Sequence, residues 1–137
     1  YIVAHNLLLS HARAIQIYRK MEVNNDGVIG ITNNCDFRYP LTDSAADREA
    51  AQRSLEFFLG WFADPIWKGD YPEIMKLMIG DKLPQFTDEE KILLYQSSDF
   101  FGLNHYSSML ASEPSENNQE DASIAGNGGM IEDLTLF

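Results

Sequence analysis

Two short apolar segments, separated by a long stretch of helical pattern, constrain the fold of this chain most strongly. Residues 28–32 are apolar and β-branched, and residues 100–106 form a second short run rich in Phe, Leu and Tyr. Both runs suit strands that are buried on two faces, as in a parallel sheet. Parallel strands need a long crossover, which is usually helical. The order helix, strand, helices, strand therefore predicts an α/β fold.

The helical segments are predicted from apolar periodicity and from their end signals. Asp43 or Ser44 can cap the second helix, which we expect to end at Asp64-Pro65. Thr87 followed by Glu90 is a capping-box signature. The helices are predicted over residues 2–22, 44–62, 72–80 and 88–96.

Composition limits the class of partner. The chain has 137 residues, is 45% hydrophobic and carries a net charge of −11, so a packed core is expected and nucleic-acid or anionic-membrane partners are disfavoured. No apolar run is long enough to predict a membrane span. Cys35 is the only cysteine, which excludes an internal disulfide. We expect a soluble protein, with a cytoplasmic location slightly favoured.

One segment imitates the start of a calcium-binding loop. Glu22, Asn24 and Asp26 alternate ahead of Gly27, as oxygen ligands do in an EF-hand. However, the twelfth position is Asn33, which cannot supply a bidentate carboxylate. The pattern therefore favours a helix-to-strand turn over a calcium site.

The histidines and carboxylates show no catalytic or zinc-binding spacing. His5 and His11 fall on different faces of a helix, and His105 follows a strand, so all three are predicted to be hydrogen-bonded structural residues. Several acidic residues have a sufficient explanation as caps and as partners of helix dipoles. These are Asp43, Asp47, Asp88, Glu89 and Glu90.

The polar end of the second strand is the best candidate site that the residues alone provide. Asn104, His105 and Tyr106 interrupt an apolar strand at its carboxyl end, where α/β barrels place their chemistry. Asn and Tyr can hydrogen-bond a ligand, and Tyr can also stack on one. A functional site and an ordinary strand end both remain open at this point.

A series of sequence blocks resembles the retaining β-glucosidases of glycoside hydrolase family 1. Each block is weak alone, but their order and gaps over residues 1–110 are those of the family. The blocks are HNLLLSHA (5–12), GVIGI (27–31), AAQR (50–53), GWFADPI (60–66), GDYP (69–72), LPQFT (83–87), SDF (98–100) and GLNHY (102–106).

The resemblance implies part of a (β/α)₈ TIM barrel. This chain would supply the fourth helix, the fifth and sixth strands and the helices between them. Residues 1–110 would be a central barrel segment, and residues 111–137 an exposed loop following the sixth strand. Two strands alone leave unpaired edges, so the remaining segments of the same barrel are expected partners.

The resemblance also implies hydrolysis of β-glucosides and related β-glycosides or oligosaccharides, without metal or organic cofactor. The two catalytic glutamates of the family lie in Thr-Phe-Asn-Glu-Pro and Ile/Val-Thr-Glu-Asn-Gly motifs, and neither string occurs in residues 1–137. Both are expected to flank this segment. Tyr106 matches a tyrosine that supports the nucleophile, while Asn104 and Asn34 match substrate-site positions. An inactive isolated fragment and a non-enzymatic binding module are the alternatives.

Overall fold

The computed structural model describes residues 1–21, 26–113 and 131–133. Its helices are α1 (Ile2–Lys20), α2 (Ala45–Leu55), α3 (Trp61–Lys68), α4 (Glu73–Ile79) and α5 (Asp88–Leu94). Its strands are β1 (Ile31–Asn34), β2 (Phe37–Pro40), β3 (Phe101–Asn104), β4 (Ser108–Ser112) and β5 (Ile131–Asp133). The chain divides into two compact units, one of residues 1–33 and 60–103 and the other of residues 34–59 and 104–137.

The core of the first unit is built on one face of α1. Leu8, Ala12 and Ile15 recur at helical spacing and are buried, and α1 packs against α3 and α5. Ile66 of α3 and Leu94 of α5 are fully buried. Burial of such a side chain stabilises a fold by roughly 1.5–3 kcal/mol. The predicted first helix is therefore confirmed, and its buried face holds the unit together.

Local end signals place two of the shorter helices correctly. The Thr87 hydroxyl accepts from Glu90 N at 3.2 Å, and the Glu90 carboxylate accepts from Thr87 N at 2.9 Å. This reciprocal capping box begins α5. Pro72 immediately precedes α4, which ends beside Gly80. The helices predicted over residues 72–80 and 88–96 are confirmed.

The predicted end of the second helix at Asp64-Pro65 is wrong. A π-helical turn, Glu56–Gly60, follows α2, and α3 then continues through Pro65 to Lys68. Pro65 is the fifth residue of α3, so its missing N–H removes only one bond, to the Trp61 carbonyl. The helix ends instead at Gly69, whose φ of 87° is readily adopted by glycine.

The first strand begins later than predicted and runs further. Residues 28–30 lie outside β1, and Ile29 bonds to Asp99 instead, with its N–H donating to the Asp99 carboxylate at 2.9 Å. β1 and β3 form a two-stranded sheet. The two strands approach closely at Gly102. A Cβ placed on this residue would lie 2.5 Å from Thr32 Oγ1 and 2.9 Å from the Ile31 carbonyl oxygen.

The second unit packs α2 against a three-stranded sheet ordered β2-β4-β5. β2 and β4, neither of which was predicted as a strand, are parallel, with Phe37 opposite Ser108. Buried Arg38 of β2 donates from Nε to Ser54 Oγ of α2 at 3.1 Å. Its guanidinium carbon lies 5.4 Å from the ring centroid of Phe58. A buried cation therefore has both polar and aromatic partners.

The loop predicted over residues 111–137 starts within strand. Ala111 is fully buried in β4, and its carbonyl accepts from Leu41 N at 2.8 Å. β5 pairs antiparallel with β4. Residues 114–130 and 134–137 lie outside the described residues, so an exposed loop there stays a prediction. Within the described part of the chain, no helix has the length and hydropathy needed to cross a bilayer.

Candidate active site

Asn34 and Asn104, two of the predicted site residues, are brought together at the strand ends. They are the last residues of β1 and β3, and both side chains are exposed. Asn104 Nδ2 donates to Asn34 Oδ1 at 2.8 Å. This bond leaves the amide N–H groups of Asn34 and the carbonyl oxygen of Asn104 available. The pair therefore presents a donor and an acceptor side by side.

A β-bulge separates the strand pair β1–β3 from the strand pair β2–β4. Cys35 N donates to the Asn104 carbonyl at 3.0 Å, and Phe37 N donates to the Ser107 carbonyl at 3.1 Å. The ladder thus advances two residues on one strand (35 to 37) and three on the other (104 to 107). Such an extra residue bends the strand and redirects a side chain. Tyr106, the third predicted site residue, lies in this bulge.

In this segment the side chain of Tyr106 is exposed, and its main chain is bonded to a side chain of the neighbouring strand connection. The residue is 82% exposed. The N–H groups of Tyr106 and Ser107 both donate to Asp36 Oδ1, at 3.1 and 3.0 Å. Donation from Ser107 and Tyr106 lowers the pKa of the Asp36 carboxyl below its usual value. The carboxylate is thereby held in its charged, accepting form.

Asp36 is a residue of this site that sequence reasoning missed. Its signal was a carboxylate placed just beyond a strand end, next to the polar end of the neighbouring strand. That signal becomes readable only when the register of the two strands is known, since Asp36 and Tyr106 are 70 positions apart.

The three histidines are hydrogen-bonded, as predicted. His105 Nδ1 donates to the Cys35 carbonyl at 3.1 Å, and His11 Nε2 donates to the Ser97 carbonyl at 2.7 Å. His5 Nδ1 lies 3.0 Å from the hydroxyl of Tyr71. Each ring has a hydrogen-bond partner, so the predicted hydrogen bonding of the three histidines is confirmed, while their structural role stays a prediction.

Among the described residues, no three His, Cys, Asp or Glu side chains are grouped so that they could hold a metal ion. The calcium-like pattern lies partly outside those residues, because 22–25 are not described. The turn favoured at that place stays a prediction.

Two surface clefts are lined by residues of the first unit. One, of about 450 Å³, runs between α1 and α5 and is lined by residues such as Ile15 and Leu93. The other, also about 450 Å³, includes Tyr71 and Phe86 in its lining. Asn34, Asn104 and Tyr106 line neither cleft. The side chains of Asn34, Asn104 and Tyr106 are all exposed in this segment.

Polar side chains at the ends of adjacent strands, with helices between the strands in sequence, are the arrangement from which α/β barrel enzymes build their sites. The family model for glycosyl hydrolase family 1 matches residues 1–133. This chain belongs to glycosyl hydrolase family 1.

Individual relatives agree with this assignment. The chain is 47% identical over 124 residues to furcatin hydrolase of Viburnum furcatum, covering 90% of this chain and 23% of that protein. It matches the crystal structure of a β-glucosidase from Trichoderma harzianum with a TM-score of 0.84 at 45% identity, covering 93% of this chain and 27% of the other.

A third relative is a family 1 β-glucosidase from Humicola insolens in complex with glucose. The match has a TM-score of 0.85 at 41% identity and covers 96% of this chain and 27% of the other. These neighbours are (β/α)₈ barrels, so the predicted fold, a part of such a barrel, is confirmed. The chain spans about a quarter of the proteins it matches.

Proposed function

We propose that this chain is the central segment of a retaining β-glucosidase that hydrolyses β-glucosides and related β-glycosides. The observation that carries the proposal is the Asn34–Asn104 side-chain bond of 2.8 Å beside an exposed Tyr106, all at strand ends. Strand ends of this kind hold the active sites of barrel enzymes. Family membership supplies the reaction class.

Retaining hydrolysis requires two carboxyl groups about 5–5.5 Å apart across the glycosidic bond. One protonates the leaving oxygen, and the other attacks the sugar and forms a glycosyl-enzyme. We assign both groups to barrel segments outside residues 1–137. On this proposal the segment contributes binding and support, the isolated chain is inactive, and neither metal nor organic cofactor takes part.

The asparagine pair suits a sugar hydroxyl. A hydroxyl donates one hydrogen bond and accepts others, and the pair offers an acceptor on Asn104 and a donor on Asn34. Because the two amides are already bonded to each other, little side-chain freedom is lost when a ligand binds. We therefore assign both residues to substrate binding.

Tyr106 would support the nucleophilic carboxylate. Its phenol can donate a hydrogen bond to a carboxylate oxygen, which favours the charged form and holds its position. Hydrogen bonds to charged groups contribute roughly 1.5–3 kcal/mol. The exposure of the side chain leaves the phenol free to meet a partner from another barrel segment.

Replacing Tyr106→Phe in the full-length protein tests this role. We expect kcat on an aryl β-glucoside to fall about 10- to 150-fold, the factor that corresponds to one charge-assisted hydrogen bond. Tyr95→Phe, at an exposed tyrosine directly after α5, is the matched control and should leave kcat unchanged. Unchanged kinetics in Tyr106→Phe would refute the supporting role.

The isolated 137-residue chain provides the complementary test. Its two-stranded sheet leaves Phe101 and Leu103 of β3 52% and 43% exposed, so we expect the chain to associate with complementary barrel pieces or to aggregate. Sedimentation that shows a stable monomer would contradict this expectation. With its mass verified as 15.5 kDa, the chain should not turn over the glucoside, and turnover would overturn the assignment of both carboxyl groups to other segments.

A further inference from the structure

Two consecutive main-chain N–H groups in the bulge are satisfied by one side chain. Tyr106 N and Ser107 N fall where the ladder skips a residue, and both donate to Asp36 Oδ1. A hydrogen bond to a charged carboxylate is stronger than one to a neutral carbonyl. Asp36 therefore stabilises the extra residue that defines the bulge.

The backbone that carries this carboxylate is itself fixed. Cys35 N and Phe37 N, on either side of Asp36, both donate to the neighbouring strand. The Asp36 carbonyl accepts from Arg38 Nη1 at 2.9 Å, and Arg38 is held by Ser54 and Phe58 on the helical side. The main chain that carries the carboxylate is thus restrained by the neighbouring strand on one side and by Arg38 on the other.

The orientation of Tyr106 depends on this arrangement. Within this segment the side chain is 82% exposed, so contacts with the rest of residues 1–137 contribute little to its position. What fixes its Cα–Cβ direction is the main-chain conformation of residues 105–107. That conformation is held by the Phe37–Ser107 ladder bond and by the two bonds to Asp36.

We propose that Asp36 is a positioning residue for Tyr106, acting through the two main-chain N–H groups of the bulge. The inference rests on the proposed role of Tyr106 and deepens it. Asp36 touches neither the sugar nor the reacting atoms. Asp36 determines the position from which the phenol of Tyr106 contacts the nucleophilic carboxylate. Removal of the Asp36 carboxylate should therefore reduce turnover only by misplacing Tyr106.

A double-mutant cycle in the full-length protein tests this coupling. We expect Asp36→Ala to lower kcat about 10- to 100-fold, the range for a misplacement of about 1 Å, with KM changing less than about threefold. In a Tyr106→Phe background the same change should lower kcat by less than about threefold, because the group it positions is already gone. Asp36→Asn should recover most of the loss, since its amide oxygen still accepts from both N–H groups.

The controls separate this inference from the proposed function. Asp81→Ala, at an exposed carboxylate in the 3₁₀ turn Gly80–Lys82, should leave kcat unchanged. If Asp36→Ala does not fold, Asp36→Ser replaces it in the same double-mutant cycle. The serine hydroxyl keeps one hydrogen-bond acceptor on a shorter side chain. If Tyr106→Phe lowers kcat and the Asp36 substitution multiplies that loss in full, the positioning role is overturned and the proposed function stands. If Tyr106→Phe has no effect, the role of Tyr106 fails, and the positioning role fails with it.

Discussion

The substitution Gly102→Ala probes the close approach of β1 and β3. The new methyl would lie 2.5 Å from Thr32 Oγ1, 2.9 Å from the Ile31 carbonyl oxygen and 3.0 Å from Thr32 Cα. Two of these three atoms are backbone, so a side-chain rotation cannot relieve the overlap. Carbon atoms in comfortable contact are about 3.5–4.0 Å apart. The strands must therefore separate by roughly 0.5–1 Å.

The separation should be visible in both stability and turnover. Overpacking of this kind costs about 1–3 kcal/mol, and we expect the upper half of that range because the strand ladder is strained. Asn104 is two residues away, so the Asn34–Asn104 bond should lengthen. A displacement approaching 1 Å lowers kcat/KM about 10- to 100-fold. Thermal unfolding and aryl β-glucoside kinetics of the full-length protein measure the two effects.

Gly30→Ala is the matched control. Its methyl would meet Ser98 Oγ at 2.5 Å and two ring atoms of Phe100 at 2.9 and 3.0 Å, all of them side-chain atoms. These can move, so we expect a loss of only about 1 kcal/mol and little change in kcat/KM. If Gly102→Ala proves as mild as Gly30→Ala in both assays, the backbone-limited approach of the two strands is refuted.

Two further substitutions test other parts of the first unit. Thr87→Ala removes the side-chain half of the capping box and should lower the free energy of unfolding by about 1 kcal/mol, measured by urea denaturation, whereas Thr87→Ser should retain it. His11 has its pKa lowered, chiefly by burial, so its contribution to stability is present above about pH 6.5 and is lost as the pH falls through its lowered folded value. His11→Gln should therefore lose less stability than the wild type between pH 7 and about pH 5. If the melting temperatures of the two proteins depend on pH in the same way, the lowered pKa of His11 in the folded state is contradicted.

Features encoded within a few neighbouring residues could be predicted from the sequence. The capping box of α5 depends on Thr87 and Glu90, three residues apart, and the start of α4 depends on Pro72. Both signals act through local hydrogen bonds or a fixed φ, so tertiary packing does not alter them. Ser44 likewise caps α2, with its hydroxyl accepting from Asp47 N at 3.0 Å.

Features that depend on register could not be predicted. The π-helical turn Glu56–Gly60 interrupts the regular helical spacing, and within it Phe57 is buried while Phe58 is 40% exposed. The strand expected at residues 28–32 begins only at Ile31. Asn104 and Tyr106 could be proposed from the polar end of a predicted strand, and Asn34 only through resemblance to a family. The contact of Asp36 with the main chain of Tyr106 depends on the register between segments 70 residues apart.

The extra residue at the bulge also fixes the phase of the strand that follows. Side chains alternate between faces, and β4 turns Ala111 toward α2, where the space left is small enough that the residue is fully buried. Deleting any one residue of 105–107 would advance β4 by one position and bring Leu110 or Ser112 to that face. A larger or more polar side chain would then enter a space fitted to a methyl group. Single-residue deletions in residues 105–107 should thus be far less tolerated than substitutions. The length of this connection is therefore under stricter constraint during evolution than its amino-acid composition.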